Sequence, residues 1–335
     1  MPSQTGFSWR GFLLSLLHIR PGEWRWRVSL EAAVVVGLPL LVFTLLGEPG
    51  LGLMCSLGAF TVIYFSARPR RERFIAQLPI AAGLWLSAAA GVLTSGSALL
   101  TFITLIVIAV VACWFVLGMS IGPPGPIMFI LVAGVSGHIA APVSLGGSGV
   151  PAATVLAMVA IGCLTSVVVA AVPIFLTGRY RNQPAPASLA VIYGRLSFDS
   201  ARLRIMQRVI LAVVLASVLS QLLSLPRGYW VILTCVAILQ SHPEVSYTMA
   251  RAVQRSLGTL LGIGVFWLLT GLQPQGLWLV LTVCVLQFGI ELFITRNYAL
   301  GLLFITPLAL LITTTSSVVP ASQVMGLRLL DTVIG

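Results

Sequence analysis

Arg251 and Arg255 stand four residues apart where a long apolar run begins, in Tyr247-Thr-Met-Ala-Arg-Ala-Val-Gln-Arg-Ser-Leu-Gly258. On a helix that spacing puts both on one face, and Gly258 and Gly262 continue it. A guanidinium offers a planar fork of donors that pairs with a carboxylate in bidentate fashion. Glycines beside it leave room for a solute or for a neighbouring helix. The competing reading is an arginine anchor at the membrane surface with a Gly-x-x-x-Gly packing face. For Arg255 an anion contact and this structural role stay open, whereas for Arg251 anchoring is the first reading.

Other polar groups interrupt the later apolar runs. Arg296 follows Glu291 by five residues beside Asn297 and Tyr298, which suits an ion pair, an interface anchor or an entrance ring for anions. Arg328 and Asp331, spaced i,i+3, are expected to neutralise each other; the alternative is that Asp331 takes up a proton during transport. His242 and Glu244 flank Pro243 as a solvated turn or a proton-coupling pair. Tyr229 and Trp230 read first as part of a membrane-interface aromatic belt, with stacking on an aromatic solute as the second reading. The segment they open, about 229–241, is shorter than a full membrane span, as interrupted helices at transporter binding sites are.

Composition removes several chemistries. All 19 basic residues are arginine, so neither a lysine-bearing phosphate loop nor a lysine Schiff base can be formed by this chain. The five cysteines lie inside apolar runs without Cys-x-x-Cys spacing and read as small packed thiols. The three histidines show no metal-binding spacing, so no metal and no cofactor are expected. Gly134-Val-Ser-Gly137 and Gly146-Gly-Ser-Gly149 superficially fit an intramembrane serine protease, but no histidine-bearing partner helix accompanies them, and no enzyme activity is expected.

Apolar residues make up 58% of 335 positions and charged ones 8%. Apolar runs fall at about 30–46, 50–66, 74–93, 97–118, 121–141 and 152–176, then at 205–224, 229–241, 252–270, 275–294, 298–316 and from 321 onward. The expected fold is an all-α polytopic membrane protein of about 12 transmembrane helices in two parallel six-helix repeats, the last helix incomplete. An amphipathic segment, 1–29, precedes the first repeat, 30–177; a basic linker, 178–204, leads to the second, 205–335.

Charge sets the orientation. Arg10, Arg20, Arg25 and Arg27, the cluster Arg68–Arg73, the linker arginines, Arg251, Arg255 and Arg296 all fall on one side of a twelve-span chain, leaving Glu48 and Arg227 opposite. The positive-inside rule places the N-terminus and the linker in the cytoplasm. The net charge of +11 is therefore topological, and no nucleic-acid partner is expected.

Four segments resemble the fusaric acid resistance (FUSC-like) family of bacterial inner-membrane proteins. They are Arg227-Gly-Tyr-Trp230, Arg255-Ser-Leu-Gly-Thr-Leu-Leu-Gly262, Arg296-Asn-Tyr298 with Phe304-Ile-Thr-Pro307, and Arg328-Leu-Leu-Asp-Thr-Val-Ile-Gly335. The family is similar to aromatic carboxylic acid exporters and more distantly to plant malate channels. The resemblance implies export of organic or aromatic carboxylate anions, or a passive anion channel; a non-transporting scaffold is the remaining reading. It leaves a homo-oligomer or a periplasmic adaptor open. The first half departs from these motifs, with Gln77 where the second half has Arg255 and Gly122-Pro-Pro-Gly-Pro126 where it has Arg296-Asn-Tyr298. The large cytoplasmic domain often found between the halves is also missing.

Overall fold

The computed structural model describes residues 19, 21–22, 24–176, 185–225, 227–315 and 321–335. Most of the amphipathic segment 1–29 and residues 177–184, which include the start of the linker, lie outside the described residues. Helices account for most of the described residues, and no strand occurs among them.

Each apolar run forms a helix: α1 (Trp26–Leu45), α2 (Pro49–Ala59), α3 (Arg70–Leu93), α4 (Ala98–Gly118), α5 (Ile127–Ala140) and α6 (Ala152–Leu176). A short α7 (Leu189–Tyr193) precedes α8 (Ser200–Leu222), α9 (Tyr229–Leu239), α10 (Val245–Leu272), α11 (Leu277–Phe293), α12 (Tyr298–Thr315) and α13 (Ala321–Ile334). Local chemistry sets several boundaries. Pro49 occupies the first turn of α2, where its missing N–H costs nothing. Ser97 caps α4 by accepting from the Leu100 amide, and Asp199 caps α8 by accepting from the Arg202 amide at 2.7 Å.

Among the described residues six helices, α1, α3, α4, α6, α8 and α10, are long and apolar enough to cross a bilayer. On α4, Leu99, Ile103, Val107, Val111 and Trp114 form an exposed apolar stripe, the face a helix turns toward lipid. By contrast α2 and α9 have only 11 residues each. At 1.5 Å rise per residue each reaches about 16 Å, roughly half of the hydrocarbon thickness. Both are enclosed: eight of eleven residues are buried in each.

The pairing of helices repeats along the chain. The contacts α1–α2, α2–α6, α3–α5, α3–α6 and α4–α5 recur as α8–α9, α9–α13, α10–α12, α10–α13 and α11–α12. Contacts between the two sets are reciprocal too, α1–α11 with α4–α8 and α5–α9 with α2–α12. Close approach depends on small residues. A Cβ on Gly58 would stand 2.0 Å from the Val159 carbonyl oxygen, and one on Gly162 would stand 1.9 Å from that of Cys55, so α2 and α6 touch backbone to backbone.

After the undescribed stretch, the linker returns to the bundle. Tyr193 is buried, its hydroxyl donates to the Ala76 carbonyl at 2.6 Å, and its ring packs against Phe65 and Phe115. Burial raises its phenol above the usual tyrosine range.

Candidate functional site

The turn entering α9 is tight. A Cβ on Gly228 would meet Ser220 at 2.6 Å and Phe102 at 2.8 Å, so a glycine is needed where α8, α4 and the turn converge. Tyr229 and Trp230 follow. Both point into the bundle, 5% and 7% exposed, which corrects the expectation of an aromatic belt facing the membrane surface. The reason is the enclosure of α9, which packs against α5, α8, α10 and α13. Tyr229 packs beside His138, with ring centroids 5.4 Å apart.

Around these rings the second half collects its buried polar groups. The Arg328 guanidinium lies 3.8 Å over the Trp230 ring, a cation–π contact in which the indole face partly replaces water. Arg328 and Asp331 are each only 3% exposed. No ion pair joins them among the described residues, although they sit i,i+3; the guanidinium turns onto Trp230 instead, which corrects the expected neutralising pair. Nε and Nη1 of Arg328 and Oδ2 of Asp331 are buried without a hydrogen bond. Two small cavities, each with room for about one water, meet at Arg227 and Thr313. One is lined also by Trp230, Arg328 and Asp331, the other by Tyr229, His138 and Ser148.

One turn along α9 from Trp230, the Thr234 hydroxyl accepts from Arg255 Nη2 at 3.1 Å. Arg255 Nη1 donates to the Tyr298 hydroxyl at 2.8 Å, and its Nε is buried without a partner. Arg251, a turn earlier, donates from Nε to the Ala237 carbonyl at 2.7 Å and lies 3.9 Å over the Tyr298 ring. Arg227, Arg328, Arg255 and Arg251 thus follow α9 from its first turn to its last. Gly258 and Gly262 have the packing role: a Cβ on either would strike α12, at Ala299 and Thr306.

The remaining predicted residues lie elsewhere. Arg296 donates to the Gly22 carbonyl and lies 3.8 Å over Trp24, at the surface and away from α9. Glu291, which precedes it by five residues, does not pair with it; Glu291 is buried on α11 and faces Arg25 at 3.8 Å. His242 and Glu244 form a local turn, His242 Nδ1 accepting from the Glu244 amide at 3.2 Å and its ring packing on Tyr247. A second ionic cluster belongs to the first half: Glu31 bonds Arg70 at 2.7 Å and Arg73 at 2.6 Å. Arg73 also donates to the Val62 carbonyl, as does Gln77, the counterpart of Arg255.

Sequence reasoning missed Arg227, His138, Thr234 and Thr313 as members of the α9 site. Arg227 did leave a signal, being one of two charges on the arginine-poor side. Thr234 and Thr313 left none, because a hydroxyl within an apolar helix usually bonds its own backbone.

A bundle of long apolar helices with lipid-facing stripes and a buried polar seam defines a polytopic α-helical membrane protein. Residues 211–335 match the fusaric acid resistance protein-like family. The chain is 34% identical over 110 residues to the uncharacterized membrane protein YvaC of Bacillus subtilis, covering 32% of this chain and 17% of that one. It is 34% identical over 137 residues to the inner membrane protein YccS of Escherichia coli, covering 38% and 18%. A protein named ORF2 of Neisseria gonorrhoeae is 30% identical over 162 residues, 48% of this chain and 36% of that one. The chain therefore spans well under half the length of these relatives. No solved structure matches.

Proposed function

We propose that this protein is a transporter that moves an organic anion across a bacterial inner membrane, along the polar seam beside the short helix α9. The observation that carries the reading is the set of guanidinium nitrogens of Arg255 and Arg328 buried without partners beside the short helix α9. A buried charge with unused donors is costly in a membrane protein unless a ligand or water-filled path uses it. The recurrent helix pairing, and the short helices α2 and α9 at matching places in each set, support twelve spans built as two repeats around a central path.

Positive-inside bias supports a cytoplasmic arginine-rich end, holding Arg25, Arg70, Arg73, Arg251 and Arg296, with Arg227 at the external end. In that orientation Arg251 and Arg255 receive the anion, and Arg328 and Arg227 pass it outward past Tyr229 and Trp230. Asp331 competes with the anion for the same guanidiniums and so helps to release it. Arg296 takes an anchoring role in this reading. The family name and relatives give the class of membrane protein but no substrate; organic carboxylates follow from the guanidinium geometry.

The test is flux into vesicles containing the purified chain, with a panel of aromatic and aliphatic carboxylates. Uphill movement driven by a pH gradient identifies an exporter, and currents that follow voltage identify a channel. Absence of flux under every gradient, from folded protein, overturns the proposal in favour of a scaffold.

A further inference from the structure

Of the ion pairs among the described residues, Arg25–Glu291 is the one that joins the two halves. It is also the loosest. Its partners stand 3.8 Å apart, against 2.6 and 2.7 Å for Glu31 with Arg73 and Arg70. Glu291 is 2% exposed, and its Oε2 is buried without a hydrogen bond. Gln287, one turn earlier on the same face of α11, is equally buried, and its Oε1 lacks a hydrogen bond too. Two buried acceptors one turn apart thus have no donor, which costs free energy for as long as both can only accept.

The surroundings decide what can supply that donor. The main packing partners of α11 are α1 and α12. From the α1 side come Arg25 and, further along, Glu31, which is taken by Arg70 and Arg73 of α3. Arg73 is the other cation that acts on Glu291. From the α12 side come Tyr298, whose hydroxyl accepts from Arg255, and Arg296, which lies over Trp24. A metal cation would be repelled by Arg25 and Arg73. A proton fits. On Glu291 it turns one acceptor into an O–H donor a single turn from Gln287. It also removes the negative partner of Arg25, which keeps its 2.5 Å bond to Ser66 Oγ in the first half.

We propose that Glu291 is a reversible proton-binding site that couples proton movement to the contact between the two halves. As a carboxylate it holds Arg25 and so ties α11 to the start of α1; as a neutral acid it donates to Gln287 and lets Arg25 go. The proton comes from water on one side of the membrane and leaves to the other, and no other covalent bond changes. The inference deepens the transport reading and rests on it for the coupling, whereas the proton site is read without flux. The purified full chain in detergent is compared by infrared difference spectroscopy between about pH 8 and about pH 6, above the range in which exposed carboxylates titrate. A carboxyl band is expected that Glu291→Gln removes and Asp331→Asn leaves. Arg25→Gln should bring the band in at higher pH, because the carboxylate loses its counter-charge. In vesicles Glu291→Gln should keep downhill anion flux and lose accumulation driven by a pH gradient. No band in the wild type, as when a water bridges an ionised Glu291, overturns the inference, and so does a band undiminished in Glu291→Gln. Downhill flux without pH-driven accumulation in the wild type, or accumulation that survives Glu291→Gln, overturns it as well and leaves the transport reading standing. A band lost in Glu291→Gln, from wild-type protein that moves no anion, upholds the proton site and overturns the transport reading alone.

Discussion

Arg255 and Tyr298 are joined by a 2.8 Å hydrogen bond from guanidinium to phenol, and the same ring carries Arg251 at 3.9 Å on its face. Tyr298 therefore holds two cations in different ways, one through its oxygen and one through its π system. The pair crosses from α10 to α12, whose backbones are brought close by Gly258 and Gly262. The packing motif and the arginine are one device: the glycines set the distance at which the Arg255 fork reaches Tyr298 and Thr234.

Tyr298→Phe separates these two functions. The ring and its contact with Arg251 survive, but Arg255 Nη1 loses its acceptor inside the bundle. A buried donor left unsatisfied costs about 1–3 kcal/mol, so a lower melting temperature is expected in detergent. Flux should fall as well, because the freed guanidinium can swing off the seam. Arg255→Ala should abolish flux while the folded protein persists. Unchanged flux in the alanine variant removes Arg255 from the path.

Glu31 answers to a different logic. It is the carboxylate shared by Arg70 and Arg73, and Arg73 is buried. Glu31→Gln leaves Arg73 without its counter-ion, which costs about 3 kcal/mol for a buried pair. Because the cluster lies in the first half, away from α9, the loss should appear in thermal unfolding while anion flux per folded protein stays unchanged. A Glu31→Gln variant with native melting would show that the pair contributes nothing to the fold.

Backbone contact between α2 and α6 gives a sharper stability test. Gly162→Ala places a methyl group 1.9 Å from the Cys55 carbonyl oxygen, with backbone on both sides and no flexible side chain to yield. Overpacking of this kind costs about 1–3 kcal/mol or more. Gly264→Ala is the control: nothing lies within 4 Å of its Cβ, and alanine favours the helix by about 1 kcal/mol. The two variants should therefore move melting temperature in opposite directions. A shift of equal sign would contradict the backbone contact.

Much of the fold was legible because lipid permits little beyond helices. The twelve apolar runs coincide with α1–α6 and α8–α13, and at α6 both boundaries, 152 and 176, were anticipated. The shortness of α9 was readable from the charged and proline-bearing turn at 240–244. The direction of its side chains was not. Tyr229 and Trp230 suit a membrane surface by composition, and only the enclosure of α9 by four other helices turns them inward. Ion pairing failed to follow sequence spacing for a similar reason. Glu291 and Arg296 are near in the chain, yet Glu291 faces Arg25, about 270 positions away in sequence, because α11 packs on α1. Arg328 and Asp331 share a helix, but the Trp230 face captures the guanidinium.

The Gly122–Pro126 turn offers the last test, because both halves grip it. Tyr64, at the end of the α2 segment, donates to the Gly125 carbonyl at 2.7 Å. Gln240, just past α9, donates to the Pro124 carbonyl at 3.1 Å and accepts from the Ile127 amide at 3.2 Å. A single glutamine thus ties the short helix of the second half to the start of α5 in the first. If anion passage requires α9 to part from α5 at this end, Gln240→Ala lowers the barrier to opening. Loss of its two bonds costs about 1–2 kcal/mol of stability. Amide exchange should accelerate at Ile127 and leave α1 and α3 protected, while flux rises if opening limits turnover. Tyr64→Phe weakens the same turn from the first-half side without touching α9. Matching exchange and flux in both variants would locate the effect in the turn itself, and a rise confined to Gln240→Ala would locate it in the α9–α5 contact.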